Sequence, residues 1–188
     1  MEEYIKESIK TKERILEDKE LQAEIKKSAD AIISAYKNEK KVLIAGNGGS
    51  ASDAQHIAGE LVAKFKYVRK GLSAFSLGVN SSVITAVAND YGYEHIFARQ
   101  IQASGVKGDI FIAISTSGKS ENIILALEEA HKNGLITIGL TGSEKSPADK
   151  FCNYLIKVPS QTTSIIQEAH IMIGHIICGI VEENLFKQ

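Results

Sequence analysis

The sequence predicts an α/β fold, a parallel sheet covered by helices on both faces and preceded by a helical arm. Three observations carry this prediction. From Lys40 onward, short β-rich apolar runs alternate with segments of helical periodicity. Two of the runs, Val42-Leu43-Ile44-Ala45 and Ile110-Phe111-Ile112-Ala113-Ile114, pass straight into small-residue loops that open helices. The stretch before Lys40 lacks such runs and is rich in Glu, Lys, Ile and Leu instead. Alternation of this kind places helices against both faces of a parallel sheet.

Taken in order, residues 1–39 form the arm, with Ile5, Ile9, Ile15, Leu16, Leu21, Ile25, Ala29 and Ile32 recurring at roughly helical intervals. The arm is expected to be bent or broken and to serve in packing and oligomerisation. Its charged flank near Lys10 to Lys19 reads as a solvated face, and its apolar stripe as a mixture of core and subunit contact. Residues 40–188 form the α/β core of the same single domain, with strands expected near 41–46, 72–77, 109–114, 135–140 and 154–158. Helices are expected near 50–66, 81–90, 93–104, 120–133 and 162–186. Gly134 follows His131-Lys132-Asn133 as a helix terminator, and Pro147 and Pro159 fall outside element interiors.

Composition narrows the function. A chain of 188 residues with 44% apolar content can bury a sizeable core. Lys plus Arg (22) and Asp plus Glu (23) nearly cancel, so nothing points to nucleic acid or an anionic membrane, and any anion must be held locally. The charged start Met1-Glu2-Glu3-Tyr4-Ile5-Lys6-Glu7 does not read as a signal peptide, which favours a cytoplasmic location. The apolar stretch from Ile171 to Val181 is too short to span a bilayer and carries His175, so it reads as a buried helix or subunit contact. Cys152 and Cys178 lack metal-type spacing and read as buried free thiols.

The two loops, Gly46-Asn47-Gly48-Gly49-Ser50-Ala51-Ser52 and Ser115-Thr116-Ser117-Gly118-Lys119-Ser120, point to a phosphorylated ligand. A helix N-terminus offers free N–H groups and the positive end of its dipole, while small hydroxyl residues add donors without filling the space. In parallel α/β sheets, ligands bind beyond the carboxyl ends of the strands, where both loops would face one crevice. Neither loop matches a dinucleotide or P-loop fingerprint, so a small phosphate ester is preferred and no nucleotide cofactor is expected. The plainer reading is two well-capped strand-to-helix connections. Beyond the first loop, His56 and Glu60 are four residues apart, about 400° of helical turn, and so share a face as ligands or as a base and its partner. The last helix carries Gln167, Glu168, His170 and His175 among apolar residues, with Gln167 and His175 about 80° apart around the axis. His170 reads as a hydrogen-bonded core residue, and His175 alone leaves core and ligand roles open.

Read together, the first loop with His56 and Glu60, Ala88-Asn89-Asp90-Tyr91-Gly92-Tyr93 with Phe97-Ala98-Arg99-Gln100, the Ser/Thr loop, and Ile166-Gln167-Glu168-Ala169-His170 with His175 resemble the phosphoheptose isomerases. These belong to the sugar isomerase (SIS) domain superfamily, and the resemblance spans essentially the whole chain. It implies a five-stranded flavodoxin-like sheet, a homotetramer with sites near subunit interfaces, and conversion of sedoheptulose 7-phosphate to glycero-manno-heptose 7-phosphate for bacterial surface glycans. By the same resemblance, Ser115, Thr116, Ser117 and Ser120 hold the phosphate, and Asn47, Gly48, Gly49 and Ser50 meet the sugar. Asn89, Asp90 and Gln167 contact substrate as well. His56, Glu60, Gln167 and His175 match zinc ligands, one ion per subunit, with Glu60 and His175 also at the acid and base positions. Ser164 stands where some members carry an aspartate. Two alternatives remain: a non-catalytic sugar-phosphate-binding or replication-initiator-associating relative, and an isomerase of another sugar phosphate.

Overall fold

The computed structural model describes residues 1–187. The strands are β1 (Val42–Gly46), β2 (Ala74–Ser76), β3 (Ile110–Ile114), β4 (Ile136–Thr141) and β5 (Tyr154–Lys157). They form one all-parallel sheet in the order β2-β1-β3-β4-β5, the doubly wound, flavodoxin-like order expected from the sequence. Every residue of β1 and β3 is buried, so these strands read as unbroken apolar runs rather than as alternating ones. Val42 pairs with Ile110 and Gly46 with Ile114, so β1 and β3 lie side by side in register and their following loops emerge together.

The helices are α1 (Glu2–Glu17), α2 (Lys19–Lys37), α3 (Gly49–Val62), α4 (Ser81–Tyr91), α5 (Ala98–Ser104), α6 (Glu121–Lys132) and α7 (Thr163–Phe186). Alternate strand residues point to opposite faces and build two cores. Val42, Ile44, Ile110, Ile112 and Ile138 pack with α2, α3 and α7, whereas Leu43, Ala45, Phe111 and Ala113 pack with α5 and α6. The arm breaks at Asp18, whose carboxylate caps α2 by accepting from the Leu21 N–H at 2.9 Å. Within its stripe, Ile15, Leu21, Ile25, Ala29 and Ile32 are buried in the core, while Ile5, Ile9 and Leu16 face out.

Two helices differ from expectation. The segment expected as one helix over 93–104 is a single 3-10 turn, Tyr93–His95, followed by α5, because the intervening Ile96 and Phe97 turn into the core. The helix expected over 50–66 ends at Val62, where the Arg69 guanidinium reaches back to the carbonyls of Glu60 (2.9 Å) and Leu61 (2.7 Å) and satisfies the helix end. Cys178 is buried and Cys152 half-buried; both are free thiols, and burial pushes each up to about 12.

By length and composition the 24 residues of α7 would suffice to cross a membrane, but here they form the core helix between the sheet, α2 and α3. A Cβ on Gly174 would stand 2.7 Å from Ile57 Cδ1, so the missing side chain is what lets α7 approach α3. His170 is fully buried, and its Nε2–H donates to the Thr141 carbonyl at 3.2 Å, tying α7 to the end of β4. Burial pushes His170 down to about 4, and the bond to Thr141 only partly offsets it.

The unfolded chain binds this proton near the ordinary value of about 6.5, so acid favours unfolding through His170. Stability is expected to be intact above pH ~6.5 and to fall by a few kcal/mol as pH drops toward ~4. Urea denaturation across this range, compared with His170→Gln, checks it: the variant should lack this part of the slope.

Candidate active site

The Ser/Thr loop turns sharply at Gly118, whose φ of +62° suits glycine. The Gly118 N–H donates to Ser115 Oγ at 3.1 Å, and Ser115 Oγ lies 3.3 Å from Ser120 Oγ. Ser120 is the N-cap residue of α6, yet its hydroxyl caps no backbone N–H; α3 likewise starts at Gly48 without a side-chain cap. Neither helix therefore receives a side-chain cap from its N-cap residue. The hydroxyls gather at the N-terminus of α6, where free N–H groups and the dipole favour an anion. Thr116 and Ser117 line a small cavity of about 120 Å³ with Ser143, Ser160 and Thr163.

In the first loop, Asn47 and Asn122 exchange two hydrogen bonds, each of 2.9 Å, between their side-chain amides. The Tyr93 hydroxyl donates to Asn47 Oδ1 at 3.2 Å. Ser50 is buried, while Gly48 and Gly49 are open to solvent. Asn89 and Asp90 are exposed at the end of α4 and bond to each other at 2.8 Å.

The approach of α3 to α7 sets the titratable groups. His56 and His175 are sequence neighbours of the touching pair Ile57 and Gly174, and so meet across the contact. His56 Nε2 lies 3.2 Å from Glu60 Oε1 and 3.3 Å from His175 Nε2. The rings cross edge to face at a centroid distance of 4.9 Å. Nitrogen, nitrogen and carboxylate oxygen converge within 4.8 Å, a donor set that fits a divalent cation such as zinc. Gln167 sits two turns earlier on α7, its amide against Gly49: a Cβ there would stand 2.7 Å from Gln167 Nε2. The structure thus joins three of the four expected ligands directly and lays the fourth on the glycine loop.

A SIS domain model matches residues 3–142. Phosphoheptose isomerase 2 of Campylobacter jejuni is 56% identical over 187 residues, covering 97% of this chain and 93% of its own. The phosphoheptose isomerase of Aneurinibacillus thermoaerophilus is 54% identical over 184 residues, with 98% and 93% covered. This chain belongs to the phosphoheptose isomerase family of SIS-domain proteins. The solved phosphoheptose isomerase of Francisella tularensis superposes with a TM-score of 0.92 at 38% identity, over 97% of this chain and 96% of that one.

Around this family's expected residues the structure adds groups that sequence reasoning missed. Glu182, in the apolar last helix, is buried and accepts from the backbone N–H groups of Phe65 (2.9 Å) and Tyr67 (3.1 Å) and from Arg69 Nε (2.9 Å). The strap over 63–70 is thereby clamped across the ends of α3 and α7, with the Phe65 ring stacked on His175 at 5.7 Å. Burial alone would push the Glu182 carboxyl up, but the N–H groups of Phe65, Lys66 and Tyr67 and the Arg69 guanidinium outweigh it and hold it below the usual range. Asp53, one turn before His56, is raised by burial, with His56 opposing, and its Oδ2 has no partner among the described residues. The available signals were the acidic pair that follows an apolar run, Gly179-Ile180-Val181-Glu182-Glu183, and the arginine of Val68-Arg69-Lys70. Neither discloses its partner until the fold brings positions 69 and 182 together.

Removing one member of a buried pair strands the other charge, typically costing about 3–5 kcal/mol. Glu182→Ala is expected to lose stability of this order in urea denaturation, and Lys66→Ala, exposed on the same strap, to lose less than about 1 kcal/mol.

Proposed function

We propose that this chain interconverts sedoheptulose 7-phosphate and D-glycero-D-manno-heptose 7-phosphate, supplying heptose to bacterial surface glycans from the cytoplasm. Ser115, Thr116, Ser117 and Ser120 hold the phosphate; Asn47, Gly48, Gly49 and Ser50 meet the sugar, with Asn89, Asp90 and Gln167 as further contacts. The observation that carries the reading is the Glu60 carboxylate and the His175 imidazole, held on different helices with their ligand atoms within 4.8 Å of one another.

Glu60 takes the C1 proton of the open-chain ketose, and the resulting enediolate is reprotonated at C2. His175 moves the hydroxyl proton between O1 and O2. Two groups facing one carbon pair from two helices satisfy the reach that general acid-base catalysis needs. His56, Glu60, Gln167 and His175 would hold the zinc ion, which when bound polarises the carbonyl and offsets developing negative charge. A carboxylate shared with a cation is a weakened base, so Glu60 acts to the extent that its second oxygen is free. The ion is accordingly proposed as exchangeable.

The assembly proposed is a homotetramer. Ile5, Ile9 and Leu16 of α1 and Ile176 of α7 are exposed, and Leu16 and Ile176 line one apolar groove of about 490 Å³. A second groove, of about 620 Å³, runs along α7 past His175, so subunit contact would lie beside the site.

Coupled assay of sedoheptulose 7-phosphate isomerisation tests the reading. Glu60→Gln and His175→Asn are each expected to lower kcat about 100-fold or more with circular dichroism unchanged. Chelation is expected to lower activity and added zinc to restore it. Turnover retained in either variant defeats the acid-base assignment; wild type inactive under every metal condition returns the chain to a binding role.

A further inference from the structure

We propose that Asn122 and Tyr93 are positioning residues that orient the Asn47 amide so that it meets the sugar as a hydrogen-bond donor. The inference rests on the reading of the first loop as the sugar loop. Asn122 is the second residue of α6, two positions after the phosphate-loop serine Ser120, and only 4% exposed. Its amide therefore links the two loops from inside the crevice.

The hydrogen-bond accounting sets the polarity. An amide side chain has two N–H donors and one oxygen with two acceptor sites. Asn47 Oδ1 accepts from Asn122 Nδ2 at 2.9 Å and from the Tyr93 hydroxyl at 3.2 Å, which uses both acceptor sites. Asn47 Nδ2 gives one N–H to Asn122 Oδ1 at 2.9 Å. One N–H is left over, on a half-buried side chain at the carboxyl edge of β1. A flip of Asn47 alone would set NH2 against NH2 and oxygen against oxygen; reversal needs both amides to flip together with the Tyr93 hydroxyl turned to accept, so Asn122 and Tyr93 hold the orientation jointly. What Asn47 offers a ligand is then a donor, suited to a carbonyl, hydroxyl or enediolate oxygen. Asn122, only 4% exposed, turns both ends of its amide to Asn47 and acts on the sugar through it.

This separates Asn122 from a residue that merely supports α6. Loss of support would disturb the phosphate loop and weaken binding of any phosphate; loss of aim would weaken only the sugar end. The experiment measures KM for sedoheptulose 7-phosphate and Ki for inorganic phosphate in Asn122→Ala and Tyr93→Phe, each made alone and combined with Asn47→Ala. A lost neutral hydrogen bond corresponds to about a three- to tenfold effect. Asn122→Ala is expected to raise KM by that factor, Tyr93→Phe by about twofold, both with Ki unchanged and with no further rise in the Asn47→Ala background. Equal KM increases in that background, or a parallel rise in Ki, overturn the inference. Should Asn122→Ala not fold, the exposed Tyr93→Phe decides by the same criteria. Asn47→Ala with unaltered KM removes instead the assignment of the first loop to the sugar, and the inference falls with it.

Discussion

The close approach of α3 to α7 at Gly174 is the constraint on which the rest of the site depends. Each helix carries part of the polar cluster, His56 and Glu60 on one and His175 on the other, with Gln167 on the same helix as His175. Side chains of ordinary size at the crossing would hold the helices farther apart, and the two imidazole nitrogens now 3.3 Å apart would separate with them. The same contact has Ile57 buried against Gly174, so packing of the core and convergence of polar groups are one event. The sheet sets the other dimension. Because β1 and β3 pair in register, their loops emerge side by side, and α3 starts beside the loop that starts α6.

Such an arrangement brings like-acting groups together at a cost. Two imidazoles and a carboxylate within 4.8 Å leave nitrogen facing nitrogen, which is settled only by a proton or a cation between them. Nearby lies the clamp of Glu182 and Arg69, whose side chains are 1% and 2% exposed. A buried ion pair in itself is weak evidence for stability, since desolvation of both charges offsets their attraction. Here the pair also satisfies backbone groups at two chain segments: N–H groups of the strap and the last carbonyls of α3. Its role is therefore geometric, closing α3 where Glu60 sits and laying Phe65 on His175.

Much of the fold was legible because its signals are local. Unbroken apolar runs in β1 and β3 and the glycine after α6 each act within a few residues, and the structure places them as the sequence implies. The boundaries that differed were decided at a distance. Helix α3 stops at Val62 because Arg69 folds back on its carbonyls, and the helix expected over 93–104 divides because Ile96 and Phe97 find a core on α6. Likewise the His56 and Glu60 pair follows from helical spacing alone, whereas Glu182 with Arg69 and Asn122 with Asn47 join residues more than 70 positions apart. No periodicity encodes such pairings; resemblance to a family named the functional residues but not these supports.

The two loops look alike in sequence, but the structure gives their side chains different commitments. Hydroxyls of the second loop bond to one another and to its own backbone and cap no helix, which leaves the α6 N-terminus with donors for an anion. The first loop has few hydroxyls, and its one amide is held by partners from two other segments. A phosphate monoester carries up to two negative charges on three terminal oxygens, so it can accept from several donors at once. A sugar carbon pair undergoing proton transfer needs fixed placement, because displacement of about 1 Å there can cost 100-fold in rate. Strength of binding at one loop and fixity of geometry at the other are thus different physical demands. The crevice carries a cluster of hydroxyls over β3 and a held amide over β1.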